Sequence, residues 1–155
     1  MKNVPVMIKK LHSNAIIPEY KHDGDAGFDF YTIEDYKLKI GETKLIRTGL
    51  CVSFPDDYEL QVRLRSSIAT SSEIIIPNAP CTIDSCYRGE IMIPVKNIGY
   101  NTLSGLLSQL SYITIPKGTR IAQGILSPVV KAVFKEVDEL PESSRGEGGF
   151  GSTGK

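Results

Sequence analysis

The sequence has little of what builds disulfide scaffolds, zinc sites or membrane spans. It contains no tryptophan, two histidines and three cysteines, and no two cysteines form a Cys-x-x-Cys pair. Cys51, Cys81 and Cys86 cannot all pair, which argues against a disulfide framework and favours a reducing compartment. No apolar run approaches 18 residues, and Lys9 and Lys10 interrupt the N-terminal apolar stretch. We therefore expect no membrane span, no secretory signal and a cytoplasmic location.

Net charge is also lacking, because 18 Lys and Arg balance 18 Asp and Glu. A protein held on nucleic acid by a bulk basic field is therefore not expected. A small anionic ligand is still possible, since it needs only a local cluster of donors. The 155 residues with 41% hydrophobic content fit one domain with a real core.

The pattern that is present has a period of two. In Tyr58–Arg65 (YELQVRLR), apolar and polar residues alternate as in a half-buried strand. Similar patterns predict further strands, which are Glu90–Val95, Tyr112–Ile115, Arg120–Leu126 and Lys131–Val137. Frequent turn formers lie between them. This predicts an all-β subunit, a jelly-roll-like β-barrel or sandwich, rather than a doubly wound sheet.

One internal segment departs from this period. Within residues 101–111, leucines at 103, 106, 107 and 110 follow helical spacing, which predicts a short inserted helix. Its leucine face could pack on the protein's own sheet or bind a protein partner.

The C-terminal residues are rich in glycine. We predict a β domain over residues 1–141 and a flexible arm over residues 142–155. The arm fits Gly-x-Gly-x-x-Gly, but no strand–helix unit follows, so a dinucleotide-binding fold is not supported. It nevertheless carries a cation, an aromatic ring and two hydroxyls, which are Arg145, Phe150, Ser152 and Thr153.

Arg65, Ser66 and Ser67 follow the strongest predicted strand. A guanidinium, two hydroxyls and strand-end amides could cradle a phosphate. The same three residues could equally form an ordinary turn.

A second polar group lies in Asn78–Glu90 (NAPCTIDSCYRGE). Asp84 follows an apolar strand end, where a carboxylate can hold one water and accept its proton. Asn78 offers a donor and an acceptor suited to a nucleobase edge, and Tyr87 offers a flat wall.

Asp25 and Asp29 flank a glycine in DAGFDF. They could form a turn before a strand, or place a carboxylate near a hydrated Mg²⁺, which takes few protein ligands.

Taken in order, these segments resemble the five motifs of the trimeric dUTP diphosphatase (dUTPase) family. The five segments are Asp25–Tyr31 (DAGFDFY), Val62–Ala69 (VRLRSSIA), Asn78–Glu90, Pro116–Gln123 (PKGTRIAQ) and Arg145–Gly154 (RGEGGFGSTG). The resemblance implies a homotrimer of jelly-roll subunits that hydrolyses dUTP to dUMP and pyrophosphate. Such a reaction limits uracil in DNA and supplies dUMP for thymidylate synthesis.

The resemblance also implies roles for the phosphate side of the site. Asp84 would be the general base for the attacking water, and Gln123 would hold the α-phosphate or that water. Arg65, Ser66 and Ser67 would bind phosphate oxygens. Mg²⁺ would lie across the phosphates, with Asp29 holding its water shell.

On the nucleoside side, the resemblance implies base recognition by main chain with Asn78 and the Thr82–Asp84 stretch, including Ile83. Tyr87 would pack against deoxyribose, and Met92 would sit beside the pocket. The arm of a neighbouring subunit would close over dUTP, with Phe150 on uracil. The remaining arm contacts would come from Arg145, Gly151, Ser152 and Thr153.

Two alternatives are weighed against this hypothesis. Related dCTP deaminases would need a glutamate at about Pro94, and proline cannot act as an acid or base. A regulatory protein could instead use the nucleotide site as a switch and the 101–111 segment as its partner surface. Cys81 departs from the family pattern, in which glycine is usual, and could narrow the base pocket.

Overall fold

The computed structural model describes residues 3–99 and 112–148. Within them lie eleven strands and one short helix. In chain order these are β1 Met7–Lys10, β2 Phe28–Tyr31, β3 Tyr36–Lys39, β4 Thr43–Arg47, β5 Leu50–Ser53, β6 Tyr58–Leu64, α1 Ser66–Ser71, β7 Ile74–Ile75, β8 Cys81–Ile83, β9 Met92–Asn97, β10 Tyr112–Ile115 and β11 Arg120–Pro128. The predicted all-β class is confirmed.

The strands form four small antiparallel sheets. The largest has the order β2-β11-β6-β8, and a second has the order β4-β9-β7. Two pairs, β1-β5 and β3-β10, complete the set. The inward side chains of these sheets form one apolar core that includes Phe30, Leu60, Val62, Ile93 and Val95.

Strand β6 organises the largest sheet, and its alternating sequence explains why. Leu60 and Val62 are buried, whereas the intervening Gln61 and the following Arg63 lie on the other face. Because one face of β6 is apolar and the other polar, its register against its neighbours is well specified. It pairs with β11 along its whole length and with β8 at its centre.

The short helix α1 follows β6 directly, where the sequence suggested a turn or strand end. Arg65 is extended at its N-terminus, and the helix has six residues. Hydroxyls donate back to helix carbonyls, as Thr70 Oγ1 does to Ser66 O at 2.9 Å. Serine and threonine are weak helix formers, so sequence pattern gave little signal for this element. The helix predicted at 101–111 lies outside the described residues.

One strand prediction is wrong for the chain taken alone. Residues 131–137 form no strand, although Lys131–Val137 alternates in the required way. After Pro128 the segment pairs with none of the described strands. The result is a run of strongly exposed apolar side chains, which includes Val130, Val133 and Phe134.

No helix in the described part of the chain is long and apolar enough to cross a membrane.

Candidate active site

A first pocket, of about 220 Å³, opens beside the end of β8. We call it the nucleoside pocket, and it is lined by Leu45, Thr82, Ile83, Asp84, Tyr87, Glu90 and Met92. Alternation along β8 turns Thr82 outward, whereas Cys81 and Ile83 are buried. Because the Cys81 side chain belongs to the core, it does not narrow this pocket as its departure from the family pattern suggested.

Asp84 begins a tight turn that presents its carboxylate to the pocket. Tyr87 N–H donates to Asp84 O at 3.0 Å, which closes the turn. Ser85 Oγ donates to the Asp56 carboxylate at 2.9 Å and so fastens the turn to the β5–β6 loop. Arg88 Nη1 donates to Ser85 O at 2.5 Å and Tyr87 O at 2.9 Å. These bonds fix the backbone, while the Asp84 side chain stays exposed to a ligand and its water.

The Tyr87 ring forms one wall of the pocket. Its hydroxyl donates to the Glu90 carbonyl at 3.0 Å, so the ring folds back over Gly89. A Cβ at position 89 would lie 2.3 Å from the Tyr87 hydroxyl, which no side chain could accommodate. Glycine is therefore required at 89 for this ring position.

A second pocket, of about 450 Å³, lies at the opposite end of β6. We call it the phosphate pocket, and its lining comes from the β1–β2 loop, β2, β6, β11 and the start of α1. The lining residues are Glu19, Lys21, His22, Asp25, Ala26, Gly27, Asp29, Arg63, Arg65, Ser66, Arg120, Gln123 and Ile125. This lining contains four Lys or Arg side chains and three Asp or Glu side chains.

Asp29 joins two of these cations. Arg65 Nε lies 2.8 Å from Asp29 Oδ1, and Arg120 Nη1 donates to Asp29 Oδ2 at 3.2 Å. The Asp29 side chain is only 13% exposed. A largely buried carboxylate between two guanidinium groups holds both in place, so that their remaining N–H groups can meet an anion.

Gln123 is held in the same pocket. Its Nε2 donates to Leu64 O at 3.1 Å. A Cβ at position 27 would lie 2.9 Å from Gln123 Oε1, so the bare Gly27 backbone makes room for this amide. The β11–β6 register, in which Gln123 lies opposite Arg63, brings the amide beside the end of β6.

The rim of the phosphate pocket is a charged loop. The Asp25 carboxylate accepts from Lys21 N–H at 3.2 Å and His22 N–H at 3.0 Å, which shapes the loop. Lys21 also pairs with Glu19. The hydrogen bond from Lys21 lowers the pKa of the Glu19 carboxyl, and the same bond raises the pKa of Lys21. Both groups are thus charged at neutral pH.

The two pockets share no lining residue and lie far apart on one chain. Ile83 pairs with Leu60 near the start of β6, whereas Arg65 follows the end of the same strand. Asp84, the next residue after Ile83, is therefore level with Glu59, and the six residues from Glu59 to Arg65 correspond to about 20 Å of strand. Asp84 and Arg65 of one chain therefore cannot contact the same phosphate group.

Several predicted site residues do not line either pocket. Asn78 lies on an exposed turn before β8, and Ser67 is exposed on α1. Arg145 donates to Gly148 O at 2.7 Å within its own turn. The arm residues Phe150, Gly151, Ser152 and Thr153 lie outside the described residues.

Sequence reasoning missed four other residues that shape the two pockets. Glu90 and Leu45 line the nucleoside pocket, and Arg120 and Gly27 shape the phosphate pocket. Arg120, Gly27 and Glu90 all fall within the segments that carried the family resemblance, which was the available signal. Leu45 lies in β4, outside those segments, and gave no signal.

A dedicated metal cage is lacking among residues 3–99 and 112–148, since no three acidic, His or Cys side chains converge there. Mg²⁺ that arrives with a triphosphate does not need one, because it keeps several waters and takes few carboxylates. Asp29 fits this outer role. Its two oxygens offer about four lone-pair sites, of which the guanidinium groups occupy two.

Comparison with known proteins identifies the family of this chain. The family profile "dUTPase" matches residues 13–154. A deoxyuridine 5'-triphosphate nucleotidohydrolase of Clostridioides difficile is 45% identical over 95% of this chain and 96% of its own. The enzyme of the same name from Helicobacter pylori is 40% identical over 96% of each chain.

Solved structures of dUTPases are similar to this chain as well. A dUTPase variant of Staphylococcus bacteriophage 80alpha, bound to dUpNHpp, superposes with a TM-score of 0.86 at 30% identity, over 97% of this chain and 99% of its own. A dUTPase variant of phage phi11 of S. aureus, described for its structural Mg(II) ion, gives 0.75 at 26% identity, over 87% and 97%. The predicted jelly-roll architecture is confirmed by these matches. The chain belongs to the dUTPase family.

Proposed function

We propose that this protein is a dUTP diphosphatase, which hydrolyses dUTP to dUMP and pyrophosphate. The observation that carries the proposal is the exposed Asp84 carboxylate, held on a rigid turn beside a pocket walled by the Tyr87 ring. Family membership and the triphosphate analogue bound to the phage relative support the substrate class. The free cysteines suit a cytoplasmic enzyme.

Asp84 is assigned as the general base. Its exposed carboxylate can accept a hydrogen bond from the attacking water. It is a weak base, so most of the rate must come from positioning the water and neutralising the phosphates. Arg65, Ser66 and Gln123 of the phosphate pocket are assigned to that second task.

The complete site is assigned to more than one subunit. Since Asp84 and Arg65 of one chain lie at levels about 20 Å apart along β6, one dUTP must meet the nucleoside pocket of one copy and the phosphate pocket of another. A closed ring of three copies satisfies this need with identical head-to-tail contacts. We therefore propose the homotrimer that the family resemblance implies.

The segment after β11 supports exchange between subunits. Val130, Val133, Phe134 and Leu140 are each more than four-fifths exposed on their own chain. Apolar side chains at such spacing along an extended segment gain stability only by covering another surface. A neighbouring copy provides this surface. The segment then carries the 142–155 arm towards the substrate of that copy.

Mg²⁺ is proposed as the cofactor. When bound, it neutralises charge on the triphosphate oxygens. Asp29 would hold its water shell, while Arg65 and Arg120 stay aligned by the same carboxylate. Thr82, Ile83, Asn78 and Met92 are proposed to surround the base and sugar.

Pyrophosphate release from dUTP, UTP, dTTP and dCTP in the presence of Mg²⁺ tests the proposal. We expect efficient cleavage of dUTP alone. Shape exclusion of the ribose hydroxyl gives about 10²-fold discrimination, whereas a mismatched base edge gives about 10⁴-fold or more. Lack of cleavage of dUTP, or deamination of dCTP, would contradict the proposal.

A further inference from the structure

The ion pair between Arg47 and Glu90 lies directly behind the nucleoside pocket. Arg47 Nε donates to both Glu90 carboxylate oxygens, at 3.2 and 3.1 Å. Gly49 N–H donates to Glu90 Oε1 at 2.8 Å. The Glu90 side chain is 14% exposed, so this charge-assisted set is better shielded from water than an ordinary surface pair.

The turn that supplies these donors is rigid. Thr48 Oγ1 donates to Ile91 O at 2.7 Å, and Ile91 N–H donates to Leu50 O at 2.8 Å. Gly49 has a φ of +67° and is crowded on its Cβ side, where a side chain would meet Ala15 and His12 at 3.0 Å. Only glycine fits there, and the turn from β4 to β5 is therefore a fixed anchor for Glu90.

Tyr36 fixes Arg47 from the other side. Arg47 N–H donates to Tyr36 Oη at 2.8 Å, and that hydroxyl donates to the Glu34 carboxylate at 2.7 Å. Burial raises the pKa of Tyr36 to about 12, so the hydroxyl keeps its proton at neutral pH. The backbone of Arg47 is thus held independently of its guanidinium.

The backbone of Glu90 holds the Tyr87 ring in place through a hydrogen bond. Its carbonyl accepts the Tyr87 hydroxyl bond at 3.0 Å, and Gly89 between them has no side chain to support the ring. The position of the ring wall therefore depends on where the Glu90 backbone lies, which the Arg47 pair and the Gly49 amide fix together with the hydrogen bonds of Ile91.

We propose that Arg47 and Glu90 are positioning residues for sugar discrimination, which hold Tyr87 close enough to the bound sugar to exclude a 2'-hydroxyl. This inference rests on the proposed function and adds to it two residues that act through the position of the ring rather than on the reacting atoms. Without this ion pair, the Tyr87 ring should move away from the sugar. The kcat/KM for UTP should then rise relative to that for dUTP.

The test compares kcat/KM for dUTP and UTP in Arg47→Met and Glu90→Gln. Lys44→Met is the matched control, because Lys44 lies on the same strand, is similarly exposed and pairs with Glu42 away from the pocket. We expect the dUTP-to-UTP ratio to fall about fivefold to tenfold in both variants, as part of the roughly 10²-fold that shape supplies. We expect Lys44→Met to leave the ratio unchanged.

Two further variants separate positioning from a merely structural role. Arg47→Lys keeps the positive charge, so its dUTP-to-UTP ratio of kcat/KM should lie between those of Arg47→Met and the wild-type protein. Tyr87→Phe keeps the ring but loses its bond to Glu90, so adding Arg47→Met to it should lower the ratio little further. Equal loss on both substrates, with the ratio unchanged, would overturn the inference while leaving the proposed function intact. Failure of the wild-type protein to cleave dUTP would overturn the proposed function and the inference together.

Discussion

The nucleoside pocket and the phosphate pocket are built by different means. In the nucleoside pocket, a loop is shaped by backbone hydrogen bonds and presents Asp84 and Tyr87 from one short stretch of chain. In the phosphate pocket, charged side chains from three paired strands converge, and Asp29 joins Arg65 to Arg120. In the proposed function, the first pocket discriminates nucleosides by shape and the second neutralises phosphate charge.

Because the two pockets are built differently, different substitutions should disturb them. A pocket held by backbone bonds depends on glycines, such as Gly89, and on the anchors behind the loop. A pocket held by ion pairs depends on the register of β2, β11 and β6, which sets the spacing of its side chains. The two can therefore be disturbed separately, which the following predictions use.

The largest effect is expected from Asp84→Asn. Loss of the general base should lower kcat by about 10³-fold while dUTP still binds, because the amide keeps the pocket's shape. Steady-state kinetics and equilibrium binding of dUTP measure the two quantities. Asp57→Asn, at an exposed aspartate that lines neither pocket, is the control. Retention of full turnover in Asp84→Asn would refute the assigned role.

Deletion of residues 142–155 should have the next largest effect. The arm carries Arg145, Ser152 and Thr153, which the family resemblance places on dUTP, so turnover should fall about 10²-fold without it. Circular dichroism and analytical ultracentrifugation should report an intact fold and trimer. Unchanged kinetics on dUTP after truncation would contradict the role of the arm as a lid.

A smaller effect is expected from Gly27→Ala, which disturbs the phosphate pocket alone. The added methyl would lie 2.9 Å from Gln123 Oε1 and 3.3 Å from Gly124 O, so the amide must move. We expect kcat to fall about tenfold, as a small misplacement in the site implies, with the dUTP-to-UTP ratio unchanged. Gly24→Ala is the matched control, because nothing lies within 4 Å of its added methyl. Equal kinetics in the two variants would show that Gly27 does not position Gln123.

Much of the fold could be predicted from local pattern. The alternation in Tyr58–Arg65 predicted β6, and an Asp behind an apolar strand end predicted the position of Asp84 beside a pocket. The bond of Arg47 to Glu90 could not be predicted, since it joins residues 43 apart in sequence. Residues 131–137 have the right alternation for a strand, but a strand also needs a pairing partner, and local alternation does not show whether one is in reach.

The separation of the two pockets also could not be read from the sequence. Arg65 and Asp84 are close along the chain, and both fall in segments shared with the family. Their separation follows from the β6–β8 register, in which Ile83 pairs with Leu60 rather than with the far end of the strand. Alternation along β6 specifies which face is buried, but the residue of β8 that lies opposite each of its residues depends on the tertiary structure.

Subunit mixing tests the central claim, that a working site combines the nucleoside pocket of one copy with the phosphate pocket of another. Asp84→Asn and Arg65→Met chains are each expected to be nearly inactive alone. Unfolded together in equal amounts and refolded, they should recover about a quarter of wild-type turnover, because random assembly pairs two intact halves at that frequency. Native mass spectrometry would verify that mixed oligomers form. Mixed oligomers without recovered activity would contradict the account.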